Sequence, residues 1–198
     1  AIESSLYDQG VDKIVSTNAI HLYYNLDKTL NSWFDILKVG GKVFVQSGNI
    51  NNPESEEGSW IIDESVEEIH LSAKEIVKSD SLFQEYQKHL SDIAYMGQHD
   101  QLRKKYFLPV RSIDYYQDEF KMSKFKHFST QAKSINALVN DWYDFLEVYH
   151  EGVLGWIGGA EKITNKKCSS KSIEDRKLLM KMAMQTIFHG KDSFKASW

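Results

Sequence analysis

Residues 11–46 constrain the fold of this chain more than any other stretch. Two short runs rich in β-branched side chains, residues 13–16 and 42–46, flank a segment whose apolar residues recur at helical spacing. Runs of this kind are typical of strands that are buried on both faces. Two strands joined through a helix form a right-handed crossover, so we expect these strands to be parallel.

The segment between the two strands has the features of an amphipathic helix. Asp27 is suited to cap its first turn, and Gly40 and Gly41 supply the positive φ that would end it. The helix should bury one apolar stripe, formed by Leu26, Leu30, Trp33, Phe34 and Leu37.

The loop at residues 17–21, Thr-Asn-Ala-Ile-His, follows the first strand directly. Parallel α/β sheets bind their ligands outside the carboxyl ends of the strands, so this loop is the predicted functional segment. His21 is a candidate general base, because an unperturbed imidazole titrates near neutral pH. Packing beside Tyr23 and Tyr24, as an aromatic-like side chain, is the alternative role.

Two of these segments resemble a known family. The sequence DKIVSTNAIH, followed about one helix later by ILKVGGKVFVQ, is similar to strands four and five of class I S-adenosylmethionine-dependent methyltransferases. The chain departs from the family's pattern at Val39, where the family prefers proline. The resemblance implies a Rossmann-like α/β sheet. This chain would hold its C-terminal half, strands four to seven, with the last strand antiparallel.

The family's glycine-rich cofactor loop has no counterpart in this sequence. Residues 1–6 are similar to the segment that follows strand three, so the resemblance implies that the first half of a methyltransferase domain is missing from this chain. A natural boundary at the first residue is the alternative. The resemblance assigns S-adenosylmethionine as the cofactor. It implies contacts to this cofactor from Ala1, Ile2, Ser16, Asn18 and Ala19.

The remainder of the chain is predicted to complete a single α/β domain. Residues 54–124 exceed a simple crossover and are the predicted helical insertion, which the resemblance implies is a lid over the substrate. Its candidate helices are residues 63–78, 81–95, 98–106 and 112–124. Strands are expected at residues 128–135 and 194–198, in one sheet with the first two and with the terminal strand antiparallel between the second and third. Helices are expected at residues 137–150 and 172–189.

Aromatic and polar side chains are the candidates for substrate contact, most of them in the inserted and C-terminal helices. Core packing is the alternative role for each tryptophan. Arg111 is suited to pair with a substrate carboxylate, and a surface ion pair is its alternative. The candidates are Tyr23, Tyr106, Arg111, Trp142, Tyr143, His150 and Trp156.

Other patterns in the sequence do not indicate a site. Glu67 and His70 have the E-x-x-H spacing of carboxylate-bridged metal centres, but a second such pair is lacking and surface polarity explains them. Residues 155–159 lack the strand, helix and Gly-Lys-Ser/Thr sequence of a phosphate loop. The short basic clusters at residues 103–105 and 166–167 are typical of solvated surface. We therefore expect neither a metal nor a nucleic-acid partner.

The composition limits what the chain is expected to bind and where in the cell it is expected to lie. The net charge of −4 gives no general attraction to nucleic acid or to anionic membranes. No apolar run approaches the ~18–20 residues of a membrane span, so no membrane is expected. Cys168 is the only cysteine in the sequence, which rules out an intrachain disulfide and makes a reducing cytoplasm the expected location.

Two functions from different classes follow from the sequence. The first is S-adenosylmethionine-dependent methyl transfer to a small molecule. The alternative is a non-catalytic binding or partner module with a methyltransferase-like half-sheet, completed by another polypeptide. A strand and a glycine-rich loop encoded upstream of Ala1 would favour the first function, and a start codon directly before Ala1 would favour the second.

Overall fold

The computed structural model describes residues 9–126 and 128–198. These residues form two compact units, and each is described by itself. The unit that we call the sheet unit comprises residues 9–61, 110–134 and 197–198. The unit that we call the helical unit comprises residues 62–109 and 135–196. The predicted insertion at residues 54–124 is therefore divided between the two units.

The chain has a mixed α/β fold in which helices predominate. The strands are β1 Val11–Thr17, β2 Leu37–Gln46, β3 Ile50–Asn51, β4 Arg111–Ser112, β5 Ser134–Leu138 and β6 Ser193–Ser197. The helices are α1 Leu26–Ile36, α2 Ile62–Ser79, α3 Gln87–Leu90, α4 Ile93–Tyr106, α5 Ile113–Met122, α6 Val139–Val148, α7 His150–Leu154, α8 Glu161–Thr164 and α9 Ser170–Ile187. Within the part of the chain that the structure describes, no helix combines the length and apolar composition needed to cross a membrane.

β1 and β2 pair in parallel and are joined through α1, which confirms the predicted strand–helix–strand unit. Ser16 on β1 stands opposite Val45 on β2. Val45 packs against the buried apolar cluster of the sheet unit, so one face of this sheet is covered. The fully buried members of the cluster are Ile20, Leu26, Leu30 and Tyr116. Leu26 and Leu30 of the predicted helix stripe are therefore confirmed as core. The prediction was wrong for Phe34, which is exposed, and for Leu37, which lies in β2.

The glycine pair does not end the helix, so that prediction was wrong. α1 ends at Ile36, and Gly40 and Gly41 lie inside β2, where the pairing with β1 shifts register. Gly40 has a φ of +82°, and a Cβ on Gly41 would lie 2.9 Å from the Lys38 carbonyl oxygen. The two glycines therefore permit a bulge, after which β2 pairs regularly with β1.

β5 and β6 form a separate two-stranded sheet. Lys133 and Trp198, at the end of this pair, exchange both backbone N–H···O bonds, at 3.0 and 2.7 Å, which is the pattern of antiparallel strands. The terminal strand is therefore antiparallel, as predicted, but the described residues do not form the predicted single sheet of four strands. One reason is that the Ser197 N–H donates to the Trp60 carbonyl oxygen at 2.8 Å, which occupies the other edge of the terminal strand.

α2 and α9 pack against each other in the helical unit. The helix predicted at residues 63–78 is confirmed as α2. The single helix predicted at residues 81–95 is wrong, because the chain there forms the 3₁₀ turn Ser81–Tyr86, the short α3 and the start of α4. The Asp92 carboxylate accepts a hydrogen bond from the Tyr95 N–H at 3.0 Å and thereby caps the new helix α4.

His70 lies on the buried side of α2 with 2% of its surface exposed, so its predicted surface position was wrong. Its Nε2 lies 3.4 Å from the Asp100 carboxylate. The Arg103 guanidinium pairs with both Asp100 and Glu67 at 2.7 Å. Burial, and secondly the charge of Arg103, lower the pKa of His70 to about 3. The folded protein therefore holds this imidazole neutral.

We expect His70 to make the protein less stable in acid. The unfolded chain protonates this imidazole near pH 6.5, whereas the folded chain does so only near pH 3, so the unfolded state binds more protons between those values. The free energy of unfolding should therefore fall as the pH drops below 6.5, by up to about 1.4 kcal/mol per pH unit. Urea unfolding at a series of pH values measures this slope.

The variant His70→Gln should lose this acid-dependent contribution, because glutamine does not titrate. His189→Gln, which removes an exposed histidine of the same unit, controls for the loss of an imidazole as such. An unchanged slope in His70→Gln would contradict the assignment.

Candidate functional site

The carboxyl ends of β1 and β2 meet at one edge of their parallel sheet, and polar residues follow both strands there. We call residues 16–21 and 47–49 the strand-end site. The first segment contains the loop that the sequence predicts to be functional, and the second follows β2. None of these residues carries a formal charge when His21 is neutral. The site therefore offers hydrogen bonds without an ionic group.

Asn18 connects the two segments of the strand-end site. Its backbone N–H donates to the Gln46 carbonyl oxygen at 2.7 Å, and its side-chain Oδ1 accepts from the Gly48 N–H at 3.4 Å. Its φ of +48° lies in the left-handed region, which asparagine adopts more readily than most residues. This conformation follows the last residue of β1 and fixes the start of the loop.

His21 is buried in the 3₁₀ turn Ile20–Leu22, with 9% of its surface exposed. Its Nδ1 lies 3.1 Å from the Ser47 Oγ, and its Nε2 lies 3.2 Å from the side-chain nitrogen of Asn49. An amide nitrogen donates and does not accept, so Nε2 accepts from Asn49. The ring proton then lies on Nδ1, which donates to Ser47. His21 is thus a neutral imidazole with both nitrogens hydrogen-bonded.

The environment of His21 disfavours its charged form. Burial lowers the pKa of this imidazole below its ordinary value. The Ser47 hydroxyl also accepts from the backbone N–H of Asn49 at 3.2 Å, so the three residues form one polar cluster. A lone pair engaged by Asn49 can take a proton from a substrate only after that bond opens. The cluster fixes the shape of the loop, and the general-base role of His21 stays a prediction.

The remaining predicted cofactor contacts occupy different settings. Ser16 is 6% exposed, and its Oγ has no hydrogen-bond partner among the described residues. A buried hydroxyl without a partner costs free energy until one is supplied. Ala19 is partly exposed at the start of the Ile20–Leu22 turn. Ala1 and Ile2 lie outside the described residues.

Two of the predicted substrate residues belong to the sheet unit. Tyr23 packs against the buried cluster and makes an edge-to-face contact with Trp33, with ring centroids 5.8 Å apart. Arg111 stands opposite Ile50, the residue that follows the strand-end site in the chain. Its guanidinium lies 4.8 Å from the centre of the Tyr115 ring. Tyr23 is therefore engaged in packing, whereas the backbone of Arg111 pairs with the residue that follows the strand-end site.

The other predicted substrate residues belong to the helical unit: Tyr106, Trp142, Tyr143, His150 and Trp156. Their contacts there are those of packed side chains. Trp156 is 1% exposed, and the Trp142 Nε1 donates to the Ser65 Oγ at 2.9 Å. Tyr106 packs on Gly152, where a Cβ would lie 2.7 Å from the tyrosine ring. Their role in substrate binding stays a prediction.

Arg176 organises the glycine-punctuated segment of the helical unit. It is 1% exposed, and it donates to the carbonyl oxygens of Ile157 and Gly159, each at 2.7 Å. Its Nη1 lies 3.3 Å from the Nδ1 of His150. Burial lowers the pKa of this guanidinium from its ordinary value. A cavity of about 200 Å³ lies beside it, lined in part by Lys167.

Sequence reasoning missed Ser47, Asn49 and Arg176. A signal for the first two existed, because they directly follow the second of two parallel strands and so share an edge with the first loop. The signal for Arg176 was weaker. It lies at helical spacing with Leu179 and Met180, which are buried residues of α9.

Comparison of the chain with protein families, with curated proteins and with solved structures found no match. Across residues 9–126 and 128–198, no group of three or more His, Cys, Asp or Glu side chains is arranged to hold a metal ion. The geometry of the strand-end site is therefore the basis for a functional assignment.

We expect Asn49→Ala to raise the pKa of His21, because loss of the amide leaves Nε2 free to bind a proton. Ser47→Ala is the matched variant. It removes the acceptor for Nδ1–H but leaves Nε2 bonded to Asn49, so it should not raise the pKa. Titration of the imidazole carbon-bound protons by NMR measures both values. Equal pKa values in Asn49→Ala and the wild type would show that Asn49 does not donate to Nε2.

Proposed function

We propose that this chain contributes the C-terminal half of an S-adenosylmethionine-dependent methyltransferase that acts on a small molecule. The observation that supports this most is the strand-end site, a neutral hydrogen-bonding loop at the carboxyl ends of two parallel strands. In the methyltransferases that residues 11–46 resemble, the corresponding loop passes the methionine portion of the cofactor.

Methyl transfer depends on alignment more than on acid or base groups. A methyl group passes from a sulfonium to a nucleophile, and the rate depends on how well the two reactants are held. In this proposal Ser16, Asn18 and Ala19 contact the cofactor, while the glycine-rich loop comes from outside this chain. His21 acts as a positioning residue, since its bonds to Ser47 and Asn49 hold the loop in place.

Arg111 is the candidate for substrate recognition in the sheet unit. Its backbone pairs with that of Ile50, which directly follows Asn49 of the strand-end site. Its Nη1 donates to the Tyr115 hydroxyl at 3.3 Å, and a guanidinium has five N–H donors, so contacts with the described residues leave further N–H groups for a ligand. A planar guanidinium binds a carboxylate through two parallel hydrogen bonds. The proposed methyl acceptor therefore carries a carboxylate.

A non-catalytic binding or partner module is the second candidate function, and one observation favours it. Both ring nitrogens of His21 are used in bonds within the protein, which is the arrangement of a structural residue. In that case the strand-end site binds a neutral polar group without chemical change.

Titration of the ¹⁵N-labelled chain with S-adenosylmethionine, followed by NMR, tests the first proposal. We expect binding weaker than about 1 mM, because the glycine-rich loop is absent from the sequence, with amide shifts concentrated at residues 16–21. Asn18→Ala should abolish these shifts. Asn165→Ala is the matched control, because Asn165 also has a positive φ, of 53°, but lies in the helical unit.

Two outcomes would contradict the proposal. Shifts that persist in Asn18→Ala would place the cofactor elsewhere, and so would shifts that spread evenly over both units. Asn165→Ala should keep the shifts. If it lost them as well, the loss in Asn18→Ala would reflect a general effect of replacing an asparagine of positive φ and not a lost contact with the cofactor.

A further inference from the structure

The face of the β1–β2 sheet that points away from the buried cluster is exposed and apolar at its centre. Side chains alternate along a strand, and Val45 points into the cluster, so its neighbour Phe44 points to the opposite side. Phe44 stands directly opposite Val15. Val15 is 67% exposed and Phe44 is 50% exposed. We call Lys13, Val15, Lys42 and Phe44 the outer face.

A parallel sheet with one open face is unusual. Parallel strands occur almost always in sheets whose two faces are both covered, because their connections place helices on the faces. Among the described residues, the β1–β2 sheet has two strands and is covered on one face. A two-stranded sheet is marginally stable by itself in water. The outer face therefore has the character of a surface that another layer covers.

The two lysines of the outer face indicate which kind of partner surface is complementary to it. Lys13 on β1 stands opposite Lys42 on β2, next to the facing residues Val15 and Phe44. Within the part of the chain that the structure describes, neither lysine forms an ion pair. A second copy of the chain would bring lysines against lysines, which is unfavourable. A helix with an aliphatic stripe and flanking carboxylates is complementary to both the apolar and the basic parts of this face.

We propose that the outer face docks an amphipathic α-helix of a partner protein. Aliphatic side chains of this helix, spaced three and four residues apart, pack on Val15 and Phe44, and its Asp or Glu side chains pair with Lys13 and Lys42. This inference rests on the sheet and its charges, and it holds whether or not the strand-end site binds a cofactor.

Photo-crosslinking of the full chain in its native cells tests the proposal. The probe is p-benzoylphenylalanine in place of Phe44, and mass spectrometry identifies the segment that it captures. We expect a segment of another protein with apolar residues at helical spacing and carboxylates beside them. The same probe in place of Ile93, which is 88% exposed in the helical unit, should not capture that segment.

Two matched variants define the surface. In the probe-bearing chain, Val15→Asp and Lys42→Glu should each reduce the adduct by about tenfold. Val148→Asp replaces another exposed valine, 75% exposed in the helical unit, and should leave the adduct unchanged. Circular dichroism checks that each variant remains folded.

Several results would overturn the proposal. These are the absence of an adduct above that of the Ile93 probe, an adduct with a second copy of this chain, and a captured segment that lacks the amphipathic pattern. An adduct that survives both Val15→Asp and Lys42→Glu would also overturn it. The cofactor titration uses the isolated chain without a partner, so failure of one proposal does not decide the other.

Discussion

Parallel pairing of β1 with β2 is the interaction on which the sheet unit depends. It runs in regular register from Lys13 opposite Lys42 to Thr17 opposite Gln46. Because both strands run in the same direction, the segments that follow them leave the sheet at the same edge. The bond from the Asn18 N–H to the Gln46 carbonyl then extends the pairing by one step. Without this register, His21 would not contact Ser47 and Asn49, which lie 26 and 28 residues further along the chain.

The two strands and the helix of residues 11–46 could be predicted from the sequence because they follow local patterns. β3 and β4 were not predicted, and the strand expected at residues 128–135 begins only at Ser134. β-branched runs gave the two strands, and apolar periodicity gave α1 with Leu26 and Leu30 in the core. The structural role of the two glycines could not be predicted from local patterns. Gly40 has a positive φ, but whether that conformation ends a helix or forms a bulge depends on how β2 meets β1.

The polar contacts could be predicted only in part, since they depend on register and tertiary packing. The loop at residues 17–21 was located correctly at the end of a strand. Its partners, Ser47 and Asn49, lie 26 and 28 residues from His21, and a polar sequence after a strand does not specify which side chain it meets. His70 and Arg176 show the same limit, because their burial depends on residues from other helices and segments.

The chemical character of the strand-end site follows from this geometry. Burial lowers the pKa of His21 and so disfavours its charged form, and its hydrogen bonds to Ser47 and Asn49 favour one tautomer. The site therefore consists of neutral hydrogen-bonding groups without an ionic side chain, which is the property on which the proposed function rests. The same sheet leaves Val15 and Phe44 uncovered on its outer side. One structural unit thus carries both the polar strand-end site and the exposed apolar outer face.

NMR measurement of nuclear Overhauser effects between β1 and β2 tests the central claim most directly. Parallel pairing in this register predicts contacts between amide and α protons that link Ile14 with Val43 and Ser16 with Val45. It also predicts that strong contacts between the α protons of facing residues, which mark antiparallel strands, are missing. Strong α-proton contacts between these strands would contradict the account, and so would contacts shifted by one residue, because the polar residues after the two strands would then not meet.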